Sequence, residues 1–203
     1  MAAQSEVKPS GEKEEFGPVF ARFYALIASL SGRHKTVYSK ALEDIVSLNP
    51  SAILEVGSGP GIAAALIAKK LPLAKILCVD PSSTMVKIAN KRFERLYLSP
   101  RVKSVIGKSS NITTTEKFDL LFSSLSYHHW SDGTKDLCDL AGKYLLAGNI
   151  LIYENFIENP GNQNSGVHQH GISLKDIETM HIPRFRKSYE ITGRLVTVKF
   201  SSI

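Results

Sequence analysis

Glu55-Val56-Gly57-Ser58-Gly59-Pro60-Gly61 stands where a short apolar run ends and the helix-like stretch Ile62 to Lys70 begins. Glycines at 57, 59 and 61 let the backbone turn sharply and approach a ligand with no side chain in between. The helix that follows turns its unpaired amides toward the same spot, where an anionic or dipolar group gains roughly 0.3–1 kcal/mol. Asp80 closes the next apolar run, KILCVD, at about twenty residues beyond the last glycine. A carboxylate at that edge is suited to accept hydrogen bonds from two ribose hydroxyls, which narrows the ligand to an adenosine-like nucleoside.

Phosphate binding has less support, because no Gly-Lys-Ser or Gly-Lys-Thr follows the glycines. The dinucleotide fingerprint is G-x-G-x-x-G, whereas the spacing here is G-x-G-x-G with Glu55 two residues ahead of it. An acid so close to the loop repels a pyrophosphate. It suits the positive methionyl end of a sulfonium cofactor, S-adenosyl-L-methionine, either by direct contact or by ordering the loop.

Outward from this loop, apolar runs alternate with helical patterns. Before it, Val37, Tyr38, Ala41, Leu42, Ile45 and Val46 line one face of a helix from about His34 to Leu48. After it come a helix that Ser82 or Ser83 could cap, the strand VKSVIG at 102–107 and the strand FDLLFSS at 118–124. A helix around Thr134 to Tyr144 and the strand NILIYENF at 149–156 follow, with LLAGN at 145–149 expected as a surface turn. The final runs, KSYEITG and RLVTVKFSSI, form an expected antiparallel edge hairpin through Gly193. Nearly continuous apolar strands separated by helices indicate a doubly wound, mostly parallel α/β sheet covered on both faces. Residues 1–14 show no apolar periodicity and are expected to be a flexible tail. Residues 15–203 are then one domain, beginning with a helix whose apolar stripe includes Phe16, Phe20, Phe23 and Tyr24. Residues 159–171 are rich in turn formers and are expected to be a long loop.

The 203 residues suffice for one well-buried core, and 43% apolar with 22% charged residues is ordinary for a globular chain. A net charge of +6 favours anionic partners in general. Arg184, Arg186, Lys187, Arg194 and Lys199 form a mild cluster without the interleaved aromatics of a nucleic-acid groove, so a solvated face is expected there. Cys78 and Cys138 are too far apart for a CxxC pattern, and the start carries no apolar signal core. A cytoplasmic protein with no membrane span is expected.

EVGSGPG at 55–61, VD at 79–80, FDLLFSSLSYHHW at 118–130 and ILIYEN at 150–155 resemble the class I S-adenosylmethionine-dependent methyltransferases. The group that includes the ubiquinone and menaquinone biosynthesis enzymes is the most similar. The resemblance covers residues 35–155 well and the ends only by topology. It implies a Rossmann-like methyltransferase fold with a seven-stranded sheet. It further implies that Gly57, Ser58, Gly59 and Gly61 line the methionine part, that Asp80 holds the ribose, and that Met85 lies near the adenine, with Pro81 among the cofactor-binding residues. Where family members often have Gly-Asp, this chain has Gly107-Lys108-Ser109, and a lysine cannot accept a hydrogen bond. The expectation is that Ser109 or a backbone carbonyl takes over, or that the adenine sits differently.

Methyl transfer from a sulfonium is an in-line displacement that needs alignment and, for a protonated acceptor, a route for the proton. Ser123, Ser124, Ser126, Tyr127, His128, His129 and Trp130 follow the fourth strand at its carboxyl edge and are expected to shape that end. Ser123 is counted with the cofactor-binding residues, and His128 or His129 is the candidate general base. On an extended backbone the two histidines point opposite ways, so at most one reaches the methyl group. Tyr24 is a further candidate, as part of a helix folding over the cofactor. His168, His170 and His181 with Asp176 and Glu178 make no obvious metal set, and no metal is assigned. No Asn-Pro-Pro-Tyr or Asp-Pro-Pro-Tyr follows the fourth strand, which favours a small organic acceptor over a nucleic-acid base. An RNA or protein acceptor, a non-catalytic partner subunit and a nicotinamide-dependent oxidoreductase are the alternatives.

Overall fold

A computed structural model describes residues 32–158 and 170–203. The tail 1–14, the stripe from Phe16 to Leu30 with Tyr24, and His168 lie outside the described residues. The described chain runs α1 (Gly32–Leu48), β1 (Ala52–Val56), α2 (Ile62–Lys70), β2 (Lys75–Asp80), α3 (Ser83–Arg95), β3 (Val102–Ile106) and β4 (Phe118–Ser124). A 3₁₀ turn (Tyr127–His129), α4 (Gly133–Tyr144), β5 (Leu145–Ile157), β6 (Ile172–Ser173), α5 (Leu174–Thr179), β7 (Phe185–Thr192) and β8 (Leu195–Ser202) complete it.

The strands lie in the order β3-β2-β1-β4-β5-β8-β7, and the short β6 pairs with β5 off this path. From β3 across to β5 each strand is parallel to the next, while β8 runs antiparallel to both β5 and β7. Side chains alternate across the sheet with a period of two, so neighbours along a strand feed different cores. Ile53, Ile76 and Leu120 join Val37, Ala41 and Ile45 of α1 and Phe93 of α3 on one face. Leu54, Leu77 and Leu121 join Leu137, Leu140 and Tyr144 of α4 and Ile177 of α5 on the other. Burial on both faces explains why these strands read as apolar runs instead of alternating ones.

Helix ends are satisfied by named groups. Ser82 caps α3 by accepting from the Met85 amide, and Asp132 caps α4 by accepting from the Lys135 amide. Ser173 and Asp176 form a reciprocal capping box at α5. The Arg101 guanidinium donates to the carbonyls of Ala68, Leu71 and Ala74 where α2 ends. Lys187 does the same for α5 through the carbonyls of Ile177, Glu178 and Met180. Lys199 pairs with Asp44 at 3.1 Å. Two of the five cations in the C-terminal basic cluster thus serve internal contacts.

LLAGN is not a surface turn. It belongs to β5, where pairing with β4 jumps from Phe118↔Leu145 to Leu120↔Asn149. The surplus residues are accommodated as a bulge, and a Cβ on Gly148 would lie 2.0 Å from the Asp119 carbonyl oxygen.

Candidate functional site

The chain passes from β1 outward through β2 and β3 on one side, then returns to β4 and β5 on the other. Between β1 and β4 the loops diverge and leave a crevice at the carboxyl ends of the strands. Gly57, Ser58, Gly59 and Pro60 from the loop after β1 line it, opposite Ser124 and Leu125 from the end of β4. His34 and Tyr38, one turn apart on α1, close its side with rings 5.9 Å between centroids.

The loop is strapped to the neighbouring strand. The amides of Gly57 and Ser58 both donate to the Val79 carbonyl, at 2.8 and 3.1 Å. The Gly59 amide donates to Asp80 Oδ2 at 2.7 Å, and Asp80 Oδ1 accepts from the Ser82 amide at 2.9 Å. Asp80 therefore joins the glycine loop to the start of α3. Its carboxyl pKa is raised, chiefly by burial, with the Ser82 and Gly59 amides opposing the shift. Gly57 has φ +76°, and a Cβ there would lie 1.7 Å from Ser126 Oγ, so the loop and the end of β4 touch only because the side chain is absent. At Gly59, φ is +52° and an added Cβ would meet nothing within 4 Å. Ser58 Oγ is buried and has no hydrogen-bond partner, a donor and acceptor held at the crevice wall.

Glu55 lies behind this wall, 1% exposed. Its carboxyl pKa is raised to about 8, by burial first; the Cys78 thiol and the Ala64 amide oppose the shift, and Asp80 adds to it. Cys78 Sγ donates to Glu55 Oε2 at 3.5 Å. Ala64 is in the first turn of α2, so Glu55 joins β1 to that helix's free amides.

Met85 is buried on α3 and Pro81 is exposed just after β2. Lys108 is exposed in a small bridge with Asn111, whereas Ser109 is buried and donates to Asp136 Oδ2 at 2.5 Å. Ser123 is fully buried in β4 and its hydroxyl has no partner.

Past β4, Leu125 adopts φ +54°, an uncommon conformation for a bulky side chain, and its amide donates to the Tyr153 carbonyl at 2.8 Å. The following residues are not extended. They form the 3₁₀ turn, which places the rings of His128 and His129 side by side, 3.9 Å between centroids. The expectation that the pair must diverge fails because its period-two geometry applies only to strands. Trp130 is half-buried against Tyr127, ring centroids 5.1 Å apart, and its indole N–H donates to Ser126 Oγ at 3.4 Å. His128 Nδ1 lies 3.0 Å from both carboxylate oxygens of Glu154, which is completely buried in β5. Sequence reasoning assigned Glu154 no role, although an acid in the otherwise apolar run ILIYEN is a signal in itself. It also counted Tyr38 only among core residues.

His170 joins His128 and His129, at ring centroid distances of 5.4 and 5.7 Å. Asp176, weighed as a metal ligand with His168 and His170, instead caps α5. The His181 carbonyl accepts from Cys138 Sγ.

Residues 53–145 match the methyltransferase domain family. The chain is 31% identical over 140 residues to a malonyl-[acyl-carrier protein] O-methyltransferase of Ilyobacter polytropus, covering 69% of this chain and 49% of that protein. It is 26% identical over 116 residues to a demethylmenaquinone methyltransferase of Thermotoga maritima, covering 57% of this chain and 48% of the relative. The chain thus spans about half the length of these curated relatives. The fold is similar to the crystal structure of a SAM-dependent methyltransferase from Aquifex aeolicus, with a TM-score of 0.68 at 18% identity, covering 93% of this chain and all of that one. With the glycine loop strapped to an acidic β2 terminus and the sheet order described above, these likenesses make the chain similar, over residues 53–145, to the S-adenosylmethionine-dependent methyltransferases.

Proposed function

We propose that this chain transfers the methyl group of S-adenosyl-L-methionine to a small organic acceptor. The observation that carries the reading is the join between Asp80 and the Gly59 amide beside a crevice with open space at Gly59 and an unpaired Ser58 hydroxyl. Asp80 takes the ribose hydroxyls, since each carboxylate oxygen retains a lone pair beyond the amide it now accepts. The Gly57–Gly61 loop and Ser58 take the methionine end. Pro81, Met85, Ser109 and Ser123 line the remainder of the cofactor's path.

The bound sulfonium supplies an activated methyl carbon, so the protein has mainly to align an acceptor with it. At the acceptor end, Glu154 accepts the Nδ1 proton of His128 and fixes the ring, leaving the Nε2 lone pair to take an acceptor proton. His129 beside it is the second candidate. Tyr24 remains a candidate acceptor-side residue from the segment outside the described residues. Likeness to the malonyl-carrier and demethylmenaquinone methyltransferases supports an acceptor of modest size. Two free cysteines support a reducing, cytoplasmic setting.

The test incubates the full chain with methyl-labelled cofactor and fractionated small-molecule extract, then follows the label by mass spectrometry. Label in a small-molecule fraction, lost in His128→Ala with S-adenosylhomocysteine affinity retained, is the expected result. Label only in RNA or protein, or none despite tight cofactor binding, would overturn it.

A further inference from the structure

We propose that His128, His129 and His170 form a binding site for one divalent transition-metal ion of the zinc class. One ring nitrogen from each histidine lies within 4.8 Å of the other two, and the three come from two separate segments, His128 and His129 from the 3₁₀ turn after β4 and His170 from the entry to β6. This goes beyond the methyl-transfer reading and stands without it.

Three features make the cluster a built arrangement. The first is His128: Nδ1 is taken by the fully buried Glu154, so Nε2 is the nitrogen it has to offer. A ligating histidine whose other nitrogen donates to a carboxylate is the usual way a protein fixes the ring and raises its basicity. The second is Glu154 itself, held in place because its Oε2 accepts from the Asn155 amide at 3.3 Å and its Oε1 accepts from the His128 amide at 3.4 Å.

The third is the anchoring of His170. Asn155 Nδ2 donates to the His170 carbonyl at 3.1 Å. Gly171, at φ +157°, packs so tightly on β5 that a Cβ would lie 2.2 Å from the Asn155 carbonyl oxygen. Directly afterwards β6 pairs with β5 through Phe156↔Ile172. The same two residues of β5, Glu154 and Asn155, therefore hold both halves of the histidine cluster.

Tetrahedral zinc with bonds of about 2.0–2.1 Å needs nitrogens about 3.3 Å apart. The rings of His129 and His170 are exposed, so side-chain rotation can bring them in while His128 stays fixed. An all-imidazole set selects zinc, cobalt or nickel over magnesium or calcium, which require oxygen ligands. Three ligands leave a fourth position open for water or another small ligand. With an ion bound, His128 is a ligand and no longer a proton acceptor, so the two roles exclude each other at any one time.

The experiment uses the full chain without a histidine tag, stripped with chelator and titrated with zinc(II) by competition against a chromogenic chelator. Cobalt(II) absorption reads the geometry. One equivalent should bind, with affinity lowered at least ~10-fold in H128A, H129A and H170A and roughly 10- to 100-fold in E154Q, while H181A binds as the parent does. H129A and H170A change exposed side chains, so loss of binding in a folded protein reads the site directly. S-adenosylhomocysteine titration of the stripped protein tests the cofactor crevice separately. Absence of stoichiometric zinc binding, or binding indifferent to H129A and H170A, would overturn the proposal.

Discussion

Asp80 accepts from the Gly59 and Ser82 amides, and it is the carboxylate proposed to hold the ribose. Charge-assisted hydrogen bonds contribute roughly 1.5–3 kcal/mol each. Asp80→Ala should therefore weaken S-adenosylhomocysteine binding by roughly 10- to 150-fold in calorimetry; unchanged affinity would remove the ribose assignment. Glu55 makes a different prediction. Its folded-state pKa of about 8 lies above its ordinary value of 4.5, so the folded protein binds the extra proton across that interval. Stability from this group is then fully present below pH 4.5 and is lost as pH rises toward about 8, levelling beyond it. Glu55→Gln should flatten that fall in chemical-denaturation curves measured from pH 5 to 9, and an unaltered slope would show that Glu55 is ionised when buried. Asp80 was legible in the sequence because a strand end and a spacing identify it. The burial of Glu154 was not, because only the folded β5 shows that its side chain points inward to His128.

Among the elements, the join from β1 to α2 concentrates the most constraint. Gly59 has open space before it, so the obstacle to a larger residue is its left-handed backbone and whatever ligand approaches there. Gly59→Val should cost about 1–2 kcal/mol of stability from the backbone alone. It should also abolish cofactor binding, whereas a folded variant that binds normally would contradict the crevice assignment. The strands and α2 to α4 were legible because both faces of the sheet are covered, which produces uninterrupted apolar runs ending at glycine, proline or a capping residue. LLAGN misled because glycine and asparagine signal a bulge and a turn alike, and only the β4 register separates the two. The 3₁₀ turn was likewise invisible, since three residues carry no periodicity.

Across the whole molecule, the first described helix and the last strand are tied through one carboxylate. Asp44 on α1 pairs with Lys40 at 3.2 Å and Lys199 of β8 at 3.1 Å, and it accepts from the Tyr153 hydroxyl of β5 at 3.2 Å. Burial first, and then Asp44, raises the Tyr153 phenol well above its ordinary pKa, keeping it a donor. Asp44→Ala leaves that buried hydroxyl without its acceptor and should lower stability by about 1–3 kcal/mol in denaturant titration. A loss near zero would mean that α1 is held by its apolar face alone. Long-range ties of this kind, like the meeting of His170 with His128, join residues far apart in sequence, and no local pattern announces them.

The most direct measurement is a crystal structure of the chain with S-adenosylhomocysteine bound. We predict the ribose hydroxyls on Asp80, the amino-acid tail against Gly57 to Gly61, and the sulfur facing the His128 side of the crevice. Adenosyl density elsewhere, with the space before Gly59 closed by protein, would contradict it.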